Sequence, residues 1–153
     1  MSTSIETILL YTIGAGFLSI VYGFFTGKNI LNSSAGNAKM QDIASAIQIG
    51  AKAYLARQYK TIALVGVVVL IIVSVAFSPM VGLGYLIGAA LSGIAGYVGM
   101  LVSVEANVRT AEASRKGLAQ GLSVAFKSGA VTGMLVAGLA LLSIAVYYFM
   151  LLK

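Results

Sequence analysis

The stretch from Gly36 to Phe77 constrains the fold most, because it joins a charged segment directly to an unbroken apolar one. Its second half, ALVGVVVLIIVSVAF, has the composition of a membrane-spanning helix. In its first half apolar residues recur at intervals of three and four, which predicts an amphipathic helix over residues 38–60. That helix could lie flat on lipid head groups. Its direct continuation into the apolar half favours a stalk that projects into water from a span at 61–77.

The composition of the chain indicates a membrane protein. Of its 153 residues, 59% are hydrophobic and 9% are charged, whereas a soluble domain carries about 25% charged residues. So small a globule could not bury that much apolar surface. The sequence contains no Cys and no His, which excludes disulfides and removes the commonest metal ligand.

Three further apolar runs complete a predicted all-α fold, an integral membrane bundle of four helices with spans at 7–25, 61–77, 82–104 and 121–152. Small side chains recur at every fourth position in three of these spans, which predicts faces where helices approach closely. The predicted helix-packing residues are Gly84, Gly88, Ser92, Gly96, Gly129 and Gly133.

The basic residues predict the orientation in the membrane. All of them except Lys153 flank the first-to-second or the third-to-fourth connection, or lie just inside the fourth span. The positive-inside rule therefore predicts two basic cytoplasmic connections and both termini outside. On this interpretation the net charge of +6 reflects topology, and no nucleic-acid partner is expected.

Lys127 is the one charge well inside a predicted span. It is interpreted as a lysine that snorkels to the interface, as the partner of Glu105 in a buried ion pair, or as a direct participant in transport. Glu105 is also spaced to pair with Arg109, and Glu112 with Lys116. No acidic residue lies near the middle of a span, which disfavours a small ion-coupled transporter.

No catalytic, cofactor-binding or metal-binding residue is predicted in this chain. It contains neither a G-x-x-x-x-G-K-[ST] phosphate loop nor a carboxylate cluster suited to Mg²⁺. The basic connections could attract an anionic ligand, but topology and contact with lipid head groups are the favoured explanation.

Two blocks of the sequence resemble the membrane-bound, ion-pumping inorganic pyrophosphatases. GNAKMQDIASAIQIGAKAYLARQYKTIALV is similar to the first cytoplasmic connection and second span of that family, and GYVGMLVSVEANVRTAEASRKGLAQGLSVAFKSGAVTGM to its third and fourth spans. The resemblance implies Mg²⁺-dependent hydrolysis of pyrophosphate coupled to outward H⁺ or Na⁺ transport, by dimers of much longer chains. The aspartate-rich motifs of the family are missing here, so no catalytic residue carries over.

The sequence therefore favours a non-catalytic scaffold unit, similar to the outer N-terminal spans of such a pump and present as a fragment or a split subunit. Its expected partners are lipid and other transmembrane helices, in an oligomeric assembly. The alternative is a stand-alone four-span accessory subunit of another membrane complex, or a homo-oligomer. The end of the sequence at Lys153, directly after a complete span, favours a natural 153-residue protein.

Overall fold

The computed structural model describes residues 2–152, which form four long helices with short connections. They are α1 (Ser2–Leu31), α2 (Ala38–Ala76), α3 (Pro79–Ser114) and α4 (Leu118–Leu151). The described residues contain no strand, which confirms the predicted all-α class. All four helices are long and apolar enough to cross a membrane, as expected for an integral, multi-pass membrane protein. Lys153, predicted to lie apart from the other basic residues, is outside the described residues.

A single helix, α2, covers both the predicted stalk and the second predicted span. The side-chain oxygen of Asn37 accepts a hydrogen bond from the Met40 N–H at 3.0 Å, so Asn37 caps the start of α2. At ~1.5 Å per residue its 39 residues extend ~58 Å, about twice the hydrocarbon core of a bilayer. Part of α2 must therefore lie outside the hydrocarbon. That this part is residues 38–60 remains a prediction.

The connection between α2 and α3 is a tight reversal. The Ser78 hydroxyl accepts a hydrogen bond from the Val81 N–H at 3.3 Å and caps the start of α3. Pro79 occupies the first turn of that helix, where its missing N–H leaves no hydrogen bond unmade. Helices α2 and α3 are consequently antiparallel neighbours.

The four helices contact one another in the spatial order α2, α3, α4, α1, and α1 also touches α3. Within the described residues α2 contacts neither α1 nor α4. One buried cluster joins the other three helices, with Ile30 from α1, Ala106 from α3 and Val131 from α4. The fold is therefore a three-helix unit with α2 attached to one side.

The polar connection 32–37 and the basic connection 115–117 meet at one end of the molecule, which we call the basic end. A Cβ placed on Gly36 would lie 3.1 Å from Oε2 of Glu112. Gly36 has φ +81°, a conformation that favours glycine because it carries no side chain. The shared end agrees with the predicted topology, while the side of the membrane on which it lies remains a prediction.

Candidate functional site

Arg109 of α3 is the most extensively bonded charged side chain at the basic end. Its Nη1 lies 3.0 Å from Oε2 of Glu105 and 2.6 Å from the Glu105 carbonyl oxygen. Its Nη2 and Nε donate to the carbonyl oxygen of Leu31 at 2.9 and 3.2 Å. Because that carbonyl lies in the last turn of α1, it has no partner within its own helix. Arg109 therefore caps α1 and ties it to α3.

Glu105 forms an ion pair with Arg109, which is one of the two partners predicted for it from the sequence. The other candidate, a buried pair between Glu105 and Lys127, is not formed: Lys127 is exposed and makes no ion pair within residues 2–152. The physical reason is that Arg109 lies one turn from Glu105 on the same helix and already occupies its carboxylate.

The position of Lys127 along the bundle agrees with a lysine near the membrane interface. A Cβ on Gly27 of α1 would lie 3.7 Å from Cγ1 of Val131, so these two residues are level. Lys127 is one turn from Val131 toward the basic end, and Leu31 is one turn from Gly27 in the same direction. Lys127 is therefore level with the end of α1, and its snorkelling to the membrane interface remains a prediction.

Glu112 forms its ion pair with Arg115 at 3.1 Å, not with Lys116 as the spacing predicted. Helix α3 ends at Ser114, so Lys116 lies beyond the helix and the i, i+4 geometry does not apply to it. Lys116 is exposed and has no ion pair in the described part of the chain.

A cavity of about 450 Å³ opens at the basic end between the α1–α2 connection, the end of α3 and the start of α4. We call it the basic-end cavity. Its polar lining comprises Ser33, Ser34, Arg109, Lys116, Gln120 and Ser123, together with Glu112. The N-cap position of α4 is Gly117, which supplies no side-chain hydrogen bond to the first turn of the helix. The cavity therefore combines two cations, one paired carboxylate and an uncapped helix start.

Three of the four predicted packing residues of α3 lie against side chains of neighbouring helices. A Cβ on Gly84 would lie 2.7 Å from the ring of Tyr147, and one on Gly88 would lie 3.8 Å from Oγ of Ser143, both on α4. On the other side, a Cβ on Gly96 would lie 2.9 Å from the hydroxyl of Tyr59 on α2. Ser92 is exposed.

Gly129 and Gly133 of α4 face away from the other three helices. A Cβ on either would meet no atom within 4 Å in the described chain. The face of α4 that packs internally carries other small or compact residues, buried in the structure, namely Gly121, Ser128, Val131, Gly138 and Ala145. The role predicted for Gly129 and Gly133 therefore remains a prediction, and it requires a helix from outside this chain segment.

Two tyrosine hydroxyls connect α3 to its neighbours through hydrogen bonds that the sequence did not predict. Tyr59 donates to the Gly93 carbonyl oxygen at 2.8 Å, and Tyr147 donates to the Met80 carbonyl oxygen at 2.7 Å. Tyr59 lies in the predicted stalk and Tyr147 in the fourth predicted span, and neither position in the sequence identifies the carbonyl that accepts its hydrogen bond.

The sequence of this chain is similar to those of pyrophosphate-energized membrane pumps. A 45% identical relative, the K⁺-insensitive pyrophosphate-energized proton pump of Methanosarcina mazei, aligns over 88% of this chain and 20% of its own length. The putative K⁺-stimulated pyrophosphate-energized sodium pump of Clostridium tetani is 39% identical over 84% of this chain and 19% of its own length. The proton pump of Caldanaerobacter subterraneus is 36% identical over 86% and 22%.

Four apolar helices with a shared basic end define a multi-span membrane protein, and the alignments define its family. The family model for inorganic H⁺ pyrophosphatase matches residues 17–153. The chain therefore belongs to the inorganic H⁺ pyrophosphatase family. It spans about a fifth of the length of the curated relatives it matches.

The donor groups of this chain do not fit a Mg²⁺–pyrophosphate site. Mg²⁺ prefers carboxylate and phosphate oxygens in an octahedral arrangement, and the sequence holds four acidic residues in total. Two of them, Glu105 and Glu112, are each paired with an arginine. No three acidic, His or Cys side chains come together within the described residues.

Proposed function

We propose that this chain is a non-catalytic membrane scaffold unit of a pyrophosphate-driven H⁺ or Na⁺ pump, equivalent to the outer N-terminal spans of that pump and working within a larger assembly. The observation that carries the proposal is the asymmetry of coverage: 88% of this chain aligns with the Methanosarcina mazei pump, but only 20% of that pump is represented. On this proposal the remaining spans supply the substrate site, the Mg²⁺ and the ion pathway.

The open face of α4 supports the assembly part of the proposal. Gly129 and Gly133 lie one turn apart and meet nothing within 4 Å, and Ala125 and Ala137 continue the same exposed stripe. Small residues at this spacing let helix backbones approach closely in a membrane, where packing replaces the hydrophobic effect as the driving force. A further pump helix lying on this stripe would bury it.

Complementation tests the proposal directly. We would express the Methanosarcina mazei pump without the segment that aligns with this chain, alone and together with this chain. The proposal predicts that the two pieces co-purify and that pyrophosphate-driven H⁺ uptake into vesicles is restored. This chain alone should show no Mg²⁺-dependent pyrophosphate hydrolysis above empty vesicles, and robust turnover by it would contradict the non-catalytic role.

A matched pair of variants locates the docking face. Replacing Gly129 and Gly133 together by Leu should abolish co-purification, because two bulky side chains would then separate the backbones. Replacing Gly50 by Leu is the control, since a Cβ there also meets nothing within 4 Å but lies on α2. Equal co-purification of both variants would show that the stripe on α4 is not the contact.

The alternative, a stand-alone accessory subunit or homo-oligomer, could use the same stripe on α4 for a second copy. Because the sequence has no Cys, a single Gly133→Cys substitution reports this contact without background. Oxidation should leave the purified chain monomeric if the scaffold proposal holds. Disulfide-linked dimers from Gly133→Cys, without dimers from Gly14→Cys on α1, would favour the homo-oligomer.

A further inference from the structure

We propose that the basic-end cavity binds a phosphate-bearing anion, separately from any substrate site of the assembled pump. At about 450 Å³ the cavity falls within the range of pockets that hold small molecules, roughly 300–1,000 Å³. Two helices, α3 and α4, and the connections 32–37 and 115–117 contribute to its lining, so it is a concave site and not a single exposed side chain.

The free hydrogen-bond donors of the cavity suit tetrahedral phosphate oxygens. Four of the five N–H groups of Arg109 are used by Glu105 and Leu31, which leaves one on Nη2 and holds the guanidinium in place. Lys116 carries three N–H donors and has no ion pair within residues 2–152. A fixed arginine beside an uncommitted lysine is a combination that attracts phosphate.

The start of α4 adds partial positive charge to the same cavity. Gly117 gives the helix no side-chain cap, and Ala119 and Gln120 of the first turn line the cavity. The N–H groups of a first turn have no partner within the helix, so they favour an anion placed against them. The one acidic lining group, Glu112, is already paired with Arg115 at 3.1 Å.

The location of the cavity also fits a ligand anchored in the membrane. Ser123 lines the cavity, and Lys127 follows it by one helical turn on the same face of α4. A phospholipid with its phosphate in the cavity would pass Lys127 as its chains enter the apolar region. A free phosphate would contact the cavity donors alone. A phospholipid head group and a free phosphate would therefore be bound by the same N–H groups.

Native mass spectrometry of the complete 153-residue chain tests the site, with phosphatidylglycerol and phosphatidylcholine as probes. We expect preferential retention of phosphatidylglycerol, reduced about fivefold by Lys116→Gln, as one basic contact near a membrane surface would give. Ser123→Leu should reduce retention as well, because it fills the cavity without changing charge. Lys52→Gln, which removes an exposed cation of α2 outside the cavity, should have no effect.

Inorganic phosphate identifies the source of the anion. If millimolar phosphate leaves bound phosphatidylglycerol in place, the ligand is a lipid head group. If phosphate displaces the lipid, or raises the melting temperature of the wild type but not of Lys116→Gln, the ligand is a free phosphate species. The proposal would be overturned if Lys116→Gln and Lys52→Gln lost the same amount of bound phosphatidylglycerol, or if Ser123→Leu left its retention unchanged. It would also be overturned if the chain neither preferred phosphatidylglycerol over phosphatidylcholine nor bound inorganic phosphate. Circular dichroism of each variant excludes unfolding as the cause.

Discussion

Helices α1 and α2 are attached to the central α3–α4 pair in different ways. On the α1 side backbones touch: a Cβ on Gly16 would lie 2.9 Å from the Gly138 carbonyl oxygen, and one on Gly138 would lie 2.8 Å from that of Gly16. On the α2 side the Tyr59 side chain reaches across to α3, and an apolar groove of about 830 Å³ runs between the two helices. Close backbone contact tolerates no added atom, whereas a groove does.

Replacing Gly138 by Val should give the largest loss of stability, because the new side chain would push α1 away from α4. We expect the free energy of unfolding in detergent to fall by about 3 kcal/mol, the upper part of the usual range for overpacked sites. Gly133→Val on the same helix is the matched control and should change it by less than about 0.5 kcal/mol. Similar losses in both variants would show that α1 and α4 are not in close contact.

Removing the Arg109 guanidinium should have the second largest effect, since it leaves the Leu31 carbonyl and the Glu105 carboxylate without their partner. Arg109→Gln should lower the free energy of unfolding by about 2 kcal/mol, as expected for hydrogen bonds that involve a charged group. Chemical denaturation in micelles measures it. Arg57→Gln, an exposed arginine with no ion pair in the described chain, serves as the control, and an equal loss there would refute the capping role.

The α2 side should respond more weakly to loss of its hydrogen bond. Tyr59→Phe removes only the hydroxyl that donates to Gly93, and we expect a loss of about 0.6 kcal/mol, the average for such bonds in membrane proteins. Tyr11→Phe, at a side chain that is 76% exposed, should be neutral. A loss for Tyr59→Phe as large as that for Gly138→Val would remove the difference between the two sides.

The smallest effect concerns Lys127. A double-mutant cycle with Lys127→Met and Glu105→Gln should show a coupling energy within about 0.3 kcal/mol of zero, because the two side chains form no ion pair in the described chain. The cycle of Glu105→Gln with Arg109→Gln should show clear coupling by the same measurement. Strong coupling to Lys127 would indicate that Glu105 exchanges partners in the membrane.

Much of the fold follows from sequence features with one physical solution. Long apolar runs must become helices in a bilayer, because every backbone hydrogen bond has to be made internally there. Asn37 caps α2, because a short polar side chain directly before a periodic helical segment favours the N-cap position. The pair of Glu105 with Arg109 followed from their spacing on one helix.

The sequence did not identify which face of α4 packs internally. A helix that is apolar on all sides has no polar face to mark the side that points away from the bundle. The stripe through Gly129 and Gly133 and the face through Gly138 are both made of small and apolar residues, so composition alone does not distinguish them. The choice is decided by α1, whose glycines fit Gly138 and Val131. The basic-end cavity was equally hidden, because its lining residues come from separate parts of the chain.

The contact between Gly16 and Gly138 joins the first of these helices to the last, which has a consequence for biosynthesis. During translation α1 enters the membrane before α4 leaves the ribosome. Until then the glycine face of α1 contacts lipid or the insertion machinery instead of α4. Helices α2 and α3 emerge in succession and can pair as a hairpin at once. The packing of α1 against α4 therefore cannot precede the synthesis of α4.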